Sequence, residues 1–183
     1  MVSGQTDYFI PAICVFCAIA SFMDLRWGRI FNAYTAPLWL SGLIVSSVMG
    51  GWPGFGDALT GSAIALVLYG ILFALGAMGG GDVKFLMALG AWGGRNYVIE
   101  VALLGILVGG ILGVVQLMLK GRLPDFARRL YRFLLTVFVK ELEFELPKVD
   151  QKITMPFGVP ISIAAVWVAW LHPFAQWGIR LWP

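Results

Sequence analysis

Charge is scarce in this chain: only 13% of its 183 residues are Asp, Glu, Lys or Arg, against roughly 25% in an ordinary soluble domain. The formal net charge of +3 is too small to argue for nucleic-acid binding, and no nucleic-acid partner is expected. Histidine occurs once, as His172. With no dense cluster of His, Cys and carboxylates elsewhere, the chain offers no candidate metal site and no expected cofactor. Cysteine occurs twice, as Cys14 and Cys17; one C-x-x-C inside an apolar run, with no second pair and no strand pattern around it, reads as apolar filler. No Walker loop or dinucleotide fingerprint is present, because the one glycine run does not follow a strand.

What is there is apolar surface. Hydrophobic residues make up 60% of the chain and the mean hydropathy is +0.85. Apolar runs cover residues 8–23, 34–49, 55–77, 83–94, 98–119 and 156–170 or a little beyond. In lipid such runs must be helical, since an isolated strand would leave its backbone donors unpaired. The expected fold is therefore all-α: a polytopic membrane protein with about six transmembrane helices, in one domain covering 1–183. The first run has no basic segment ahead of it and no small-residue cleavage site, so it reads as a retained helix rather than a signal peptide.

Lysine and arginine set the expected orientation. With the N-terminus outside, all of the 13 basic residues except Arg95 and Arg180 fall on the cytoplasmic side. The fourth run reaches only about 18 Å as a helix. A re-entrant loop there would reverse the fifth run and expose the basic loop, so a short spanning helix is preferred. Between the fifth and sixth runs, at about 120–155, Phe126, Leu130, Phe133, Leu134, Val137 and Phe138 recur at helical spacing beside Arg128, Arg129 and Arg132. This pattern suits an amphipathic helix on the cytoplasmic interface, either a surface anchor among lipid headgroups or a gate for a membrane-borne substrate.

Most of the ten acidic residues have ordinary explanations. Asp7 precedes the first helix, Asp57 starts the third, Asp125 follows a proline at a helix start, and Glu100 is read as interfacial. Asp24 and Asp82 remain. Asp24 closes the first run in "SFMDLRWGRIFN" and Asp82 opens the fourth in "MGGGDVKFLMALGAW". Both fall at the cytoplasmic boundary, where an ionisable group is costly and a function is the default reading. A neighbouring carboxylate pair shares one proton, so one member can activate water while the other protonates a developing oxyanion. Glycines ahead of Asp82 let the backbone bend and approach a substrate strand, although close helix packing alone also uses such residues.

Three stretches carry a family resemblance: "DLRWGRIFN" at 24–32, "GGGDVKFLMALGAWGG" at 79–94 and "MPFGVPISIA" at 155–164. Together, and in this order, they resemble the type IV prepilin peptidases, relatives of the GxGD membrane aspartic proteases. The resemblance implies catalysis by Asp24 and Asp82 and cleavage, at the cytoplasmic face, of the basic leader of pilin-like precursors. It matches Gly79 and Gly81 to the motif glycines, and matches Asn32 and Lys84 as substrate-binding or supporting residues, Lys84 reading equally well as an interfacial anchor. Phe31 stands where the family usually has proline. The cytoplasmic insert with two C-x-x-C pairs, associated in long members with N-methylation, has no counterpart between Asp24 and Tyr34. The chain thus resembles the short form that serves tight-adherence pili or archaeal flagellins, with a pilin precursor as substrate, a pilus assembly system as a partner and no methyltransferase activity expected. The alternatives are a presenilin-like protease, for which six runs are few, and a proton or cation carrier, which would place further acids deeper along a pathway.

Overall fold

A computed structural model describes residues 3–119, 121, 128 and 157–171. The described residues form four helices: α1 (Ser3–Trp27), α2 (Asn32–Ala74), α3 (Gly80–Leu119) and α4 (Gly158–Leu171). Three contain apolar stretches long enough to cross a membrane, over Phe9–Trp27, Asn32–Ala74 and Gly80–Gln116. The expected amphipathic helix at about 120–155 and His172 lie outside the described residues.

The separations expected between the second and third runs, and between the fourth and fifth, are kinks rather than loops. Gly51 (φ 59°, ψ −148°) breaks α2 and Gly94 (φ 76°, ψ −176°) breaks α3. Both occupy backbone regions that a Cβ disfavours, so glycine is the residue that lets the chain turn there. Pro53 follows the first kink and resumes the helix with its φ already preset. Each long helix thus has two arms, 32–50 and 52–74 in α2, 80–93 and 95–119 in α3. α1 also starts earlier than expected, so Asp7 lies inside it rather than ahead of it.

The first arm of α3 is the centre of the packing. From Asp82 to Ala91 every residue is buried except the half-buried Met87 and the exposed Lys84. Phe85, Leu86 and Leu89 meet Ile13 and Cys17 of α1, Tyr69 of α2, and Ile161 and Val168 of α4 in one core, and α1 packs along α4. Cys14 and Cys17 are free thiols, the second fully inside that core. Small residues let two arms approach backbone to backbone. A Cβ at Gly61 would meet the Gly90 carbonyl oxygen at 2.6 Å, and one at Gly90 would meet Gly61 carbonyl atoms at 2.7 Å. This is the glycine-lined crossing that apolar helices use when lipid supplies no hydrophobic drive to associate.

Polar side chains then fix helix register, because a buried hydroxyl or indole N–H must find an acceptor. Tyr34 Oη donates to the Phe16 carbonyl (2.8 Å), Tyr69 Oη to Ala102 (3.2 Å) and Tyr97 Oη to Ala165 (2.9 Å). Trp39 Nε1 donates to Ser62 Oγ at 2.9 Å and Trp92 Nε1 to the Leu38 carbonyl at 3.0 Å. Glu100 corrects another expectation: read as interfacial, it is buried with 6% of its surface exposed. These contacts lie in a compact unit made of Met1–Gly109 and Thr154–Pro183; a second unit begins at Gly110, within α3.

Candidate active site

Asp24 lies in the last turn of α1, where the partial negative charge of the helix end is unfavourable for a carboxylate. Its own carbonyl accepts the Gly28 N–H at 2.8 Å, and Gly28 (φ 63°) closes the helix in the left-handed conformation. The compensation comes from another element. Gly158 N–H, at the first residue of α4, donates to Asp24 Oδ2 at 2.6 Å. Asp24 therefore caps α4 across 134 residues of sequence, placing its charge at the positive end of one helix dipole to offset the negative end of another. Pro160, in the same first turn, has no N–H to satisfy.

Asp82 caps its own helix. The Gly79 N–H donates to Asp82 Oδ2 at 3.1 Å and the Gly79 carbonyl accepts the Asp82 N–H at 3.1 Å. This is the returning half of a capping box, with the acid three residues inside the start. Both acids are buried, Asp24 at 3% and Asp82 at 6% exposure, and they lie within electrostatic reach of one another.

Ile30 joins the two halves. It is the buried residue of the otherwise exposed or half-buried turn between α1 and α2. A Cβ on Gly81 would meet the Ile30 carbonyl oxygen at 2.7 Å, and one on Gly158 would meet Ile30 Cδ1 at 3.0 Å and Asp24 Oδ2 at 2.7 Å. Glycine is thus required at both places by contact. Gly81 lets the α1–α2 turn lie against the start of α3, and Gly158 lets the α4 backbone reach the Asp24 carboxylate.

Of the residues singled out in the sequence, Asp24, Asp82, Gly79 and Gly81 gather at this point. Asn32 and Lys84 bond to each other rather than to either acid: Lys84 Nζ donates to Asn32 Oδ1 at 2.9 Å, and both are exposed. Three residues went unassigned in the sequence. Gly158 was inside a quoted stretch, and its proline two residues later marks a helix start, but nothing local ties it to Asp24. Ile30 carries no polar signal, and Tyr69, within electrostatic reach of Asp82, reads as core. Among the described residues, no group of three or more His, Cys, Asp or Glu could hold a metal ion.

Two buried carboxylates are thus carried on separate apolar helices that meet at a glycine-lined turn. The chain belongs to the type IV leader peptidase family, whose model matches residues 12–114, a stretch that includes both acids. It is an integral membrane protein with apolar helices. It is similar to the prepilin leader peptidase/N-methyltransferase of Xanthomonas campestris pv. campestris, 36% identical over 126 residues that cover 65% of this chain and 44% of that one. It is also similar to the proteins of the same name from Aeromonas salmonicida (36% identical over 107 residues, 55% of this chain and 36% of that one) and Stutzerimonas stutzeri (33% over 168 residues, 88% and 46%). The chain spans less than half the length of these relatives. No solved structure matches it.

Proposed function

We propose that this chain is an aspartic endopeptidase that removes the basic leader from type IV prepilin-like precursors, with Asp24 and Asp82 as its catalytic residues. The observation that carries the reading is the burial of both carboxylates at one meeting point of α1, α3 and α4, within electrostatic reach of one another. A pair in this setting holds one proton between its members. The ionised carboxylate takes a proton from water as the water oxygen bonds to the scissile carbonyl carbon. The protonated one gives its proton to the carbonyl oxygen, and on collapse of the tetrahedral intermediate the C–N bond breaks and a proton passes to the leaving amine. The backbone N–H groups at Gly79 and Gly158 hold the two acids while this occurs.

We further read the helical arms as six crossings of one peptidase domain, with the N-terminus outside and the site at the cytoplasmic face. The short first arm of α3, about 21 Å long, would start Asp82 below the membrane surface. The basic leader of the precursor would approach the acidic pair from the cytoplasm while its apolar helix stays in lipid. Only residues 28–31 separate α1 from α2, and the compactness of this connection supports the short-form reading: substrates of the tight-adherence pilin or preflagellin type, a pilus assembly system downstream, and no methyl transfer. A carrier is the weaker reading, since Asp24 and Asp82 are each fixed by the N–H of a helix start; the third buried acid among the described residues, Glu100, lies in the second arm of α3.

The test is cleavage of a pilin precursor by the purified protein in detergent. Asp24→Asn and Asp82→Asn are each expected to abolish product while keeping the thermal midpoint of the parent, and full processing by either variant would refute the assignment.

A further inference from the structure

Lys84 is the sole exposed residue of the stretch 82–91. It lies two positions beyond Asp82, so on a helix it projects to a different face and does not share the acid's surroundings. Its ammonium is nonetheless committed, donating to Asn32 Oδ1 at 2.9 Å across 52 residues of sequence. Asn32 is the first residue of α2, so this bond ties the far end of the 28–31 turn to the first turns of α3. The near end of the same turn leaves α1 directly after the turn that holds Asp24. In its middle, Ile30 lies against Gly81. The connection between the helix of one acid and the helix of the other is thus pinned at two points, one apolar and buried, one polar and exposed.

An exposed polar pair adds little to fold stability, and the first arm of α3 packs through its buried residues, Phe85, Leu86 and Leu89 among them. The consequence of the bond is geometric. Tyr34 Oη, bonded to the Phe16 carbonyl at 2.8 Å, braces the start of α2 against α1; the Lys84–Asn32 bond is the polar tie from that same end of the turn to α3, and without it the turn meets α3 through Ile30 and Gly81. We infer that Lys84 is a positioning residue: with Asn32 it forms a strap across the α1–α2 turn that sets the approach of the two aspartates. This deepens the peptidase reading and rests on it. A proton-sharing pair must hold water and a carbonyl between its members, and misplacement by about 1 Å in such a site costs about a hundredfold in rate.

The experiment compares Lys84→Ala, Asn32→Ala, the double variant and Lys84→Arg with the parent, in detergent, against a pilin precursor. The strap predicts a kcat lower by about tenfold to a hundredfold for each single alanine variant, with KM within about twofold. It predicts that the double variant is no worse than either single one, because both remove the same bond. Lys84→Arg, which can still donate to Asn32, should recover most of the rate. Unchanged kcat in Lys84→Ala, a loss expressed in KM alone, or losses that multiply in the double variant would each overturn the inference. Hydrogen exchange of peptides spanning residues 25–35 reads the strap independently of turnover. Faster exchange in both single variants supports it, and parent-like exchange overturns it, even should the parent itself cut no precursor, a result that would count against the peptidase reading instead.

Discussion

Adding one methyl group at Gly158 probes the site more closely than deleting an acid. The Cβ of Gly158→Ala would stand 2.7 Å from Asp24 Oδ2, 3.1 Å from Asp24 Cβ and 3.0 Å from Ile30 Cδ1, all inside the roughly 3.5 Å at which carbon contacts become favourable. The carboxylate is the mobile partner, so it rotates away and its 2.6 Å bond from the Gly158 N–H is lost or lengthened. Overpacking of a tight site costs about 1–3 kcal/mol, and loss of a bond to a charged acceptor about 1.5–3 kcal/mol. The two overlap, because the rotation that relieves the clash is what breaks the bond, so a total of about 2–3 kcal/mol is expected. That leaves a folded protein. For the reaction, displacing one acid by about 1 Å reduces kcat by about a hundredfold. Gly56→Ala serves as the control, since nothing lies within 4 Å of a Cβ there. Steady-state cleavage of a pilin precursor by both variants, with thermal midpoints measured in the same detergent, decides the matter. Parent-like kcat in Gly158→Ala would refute the argument that the α4 backbone holds Asp24 in its working position.

Gly90→Leu should prevent accumulation of folded protein, because its Cβ alone would meet Gly61 carbonyl carbon and oxygen at 2.7 Å and backbone cannot rotate out of the way; size-exclusion profiles of the detergent extract check this. The rate of precursor cleavage should be bell-shaped in pH, with two apparent values belonging to the acidic pair jointly; a profile flat from pH 4 to 9 would count against a shared proton.

The apolar runs and the two acids were legible because both signals are local. Hydrophobicity reports a buried or lipid-facing helix within a single window, and an acid at the edge of such a run stands out. The joints were less legible. Gly51 and Gly94 break the helices in two with no loop between the arms, and sequence does not distinguish such a glycine from one that begins a loop. Nor could the glycines be sorted by task. Gly61 and Gly90 let two arms touch, Gly81 and Gly158 admit backbone beside the acids, and a Cβ at Gly56 or Gly110 would meet nothing within 4 Å. That sorting depends on what another helix brings near, as does the burial of Glu100. The bond from Gly158 to Asp24 is the extreme case, since neither residue carries a trace of the other in its own neighbourhood of the chain.

Each aspartate also has a structural task, and this bears on how the catalytic assignment can be tested. Asp24 accepts the Gly158 N–H at the start of α4, and Asp82 accepts the Gly79 N–H at the start of α3. Helix capping asks only for an oxygen acceptor at either place, whereas catalysis asks for a group that takes and gives a proton. Asparagine presents the same amide-directed oxygen and ranks with aspartate as a cap, but it cannot take a proton from water or donate one as an acid. Alanine removes both capacities, and a loss of activity in Asp24→Ala would leave the α4 terminus unsatisfied as a competing cause. Asparagine therefore isolates proton transfer from capping at both positions.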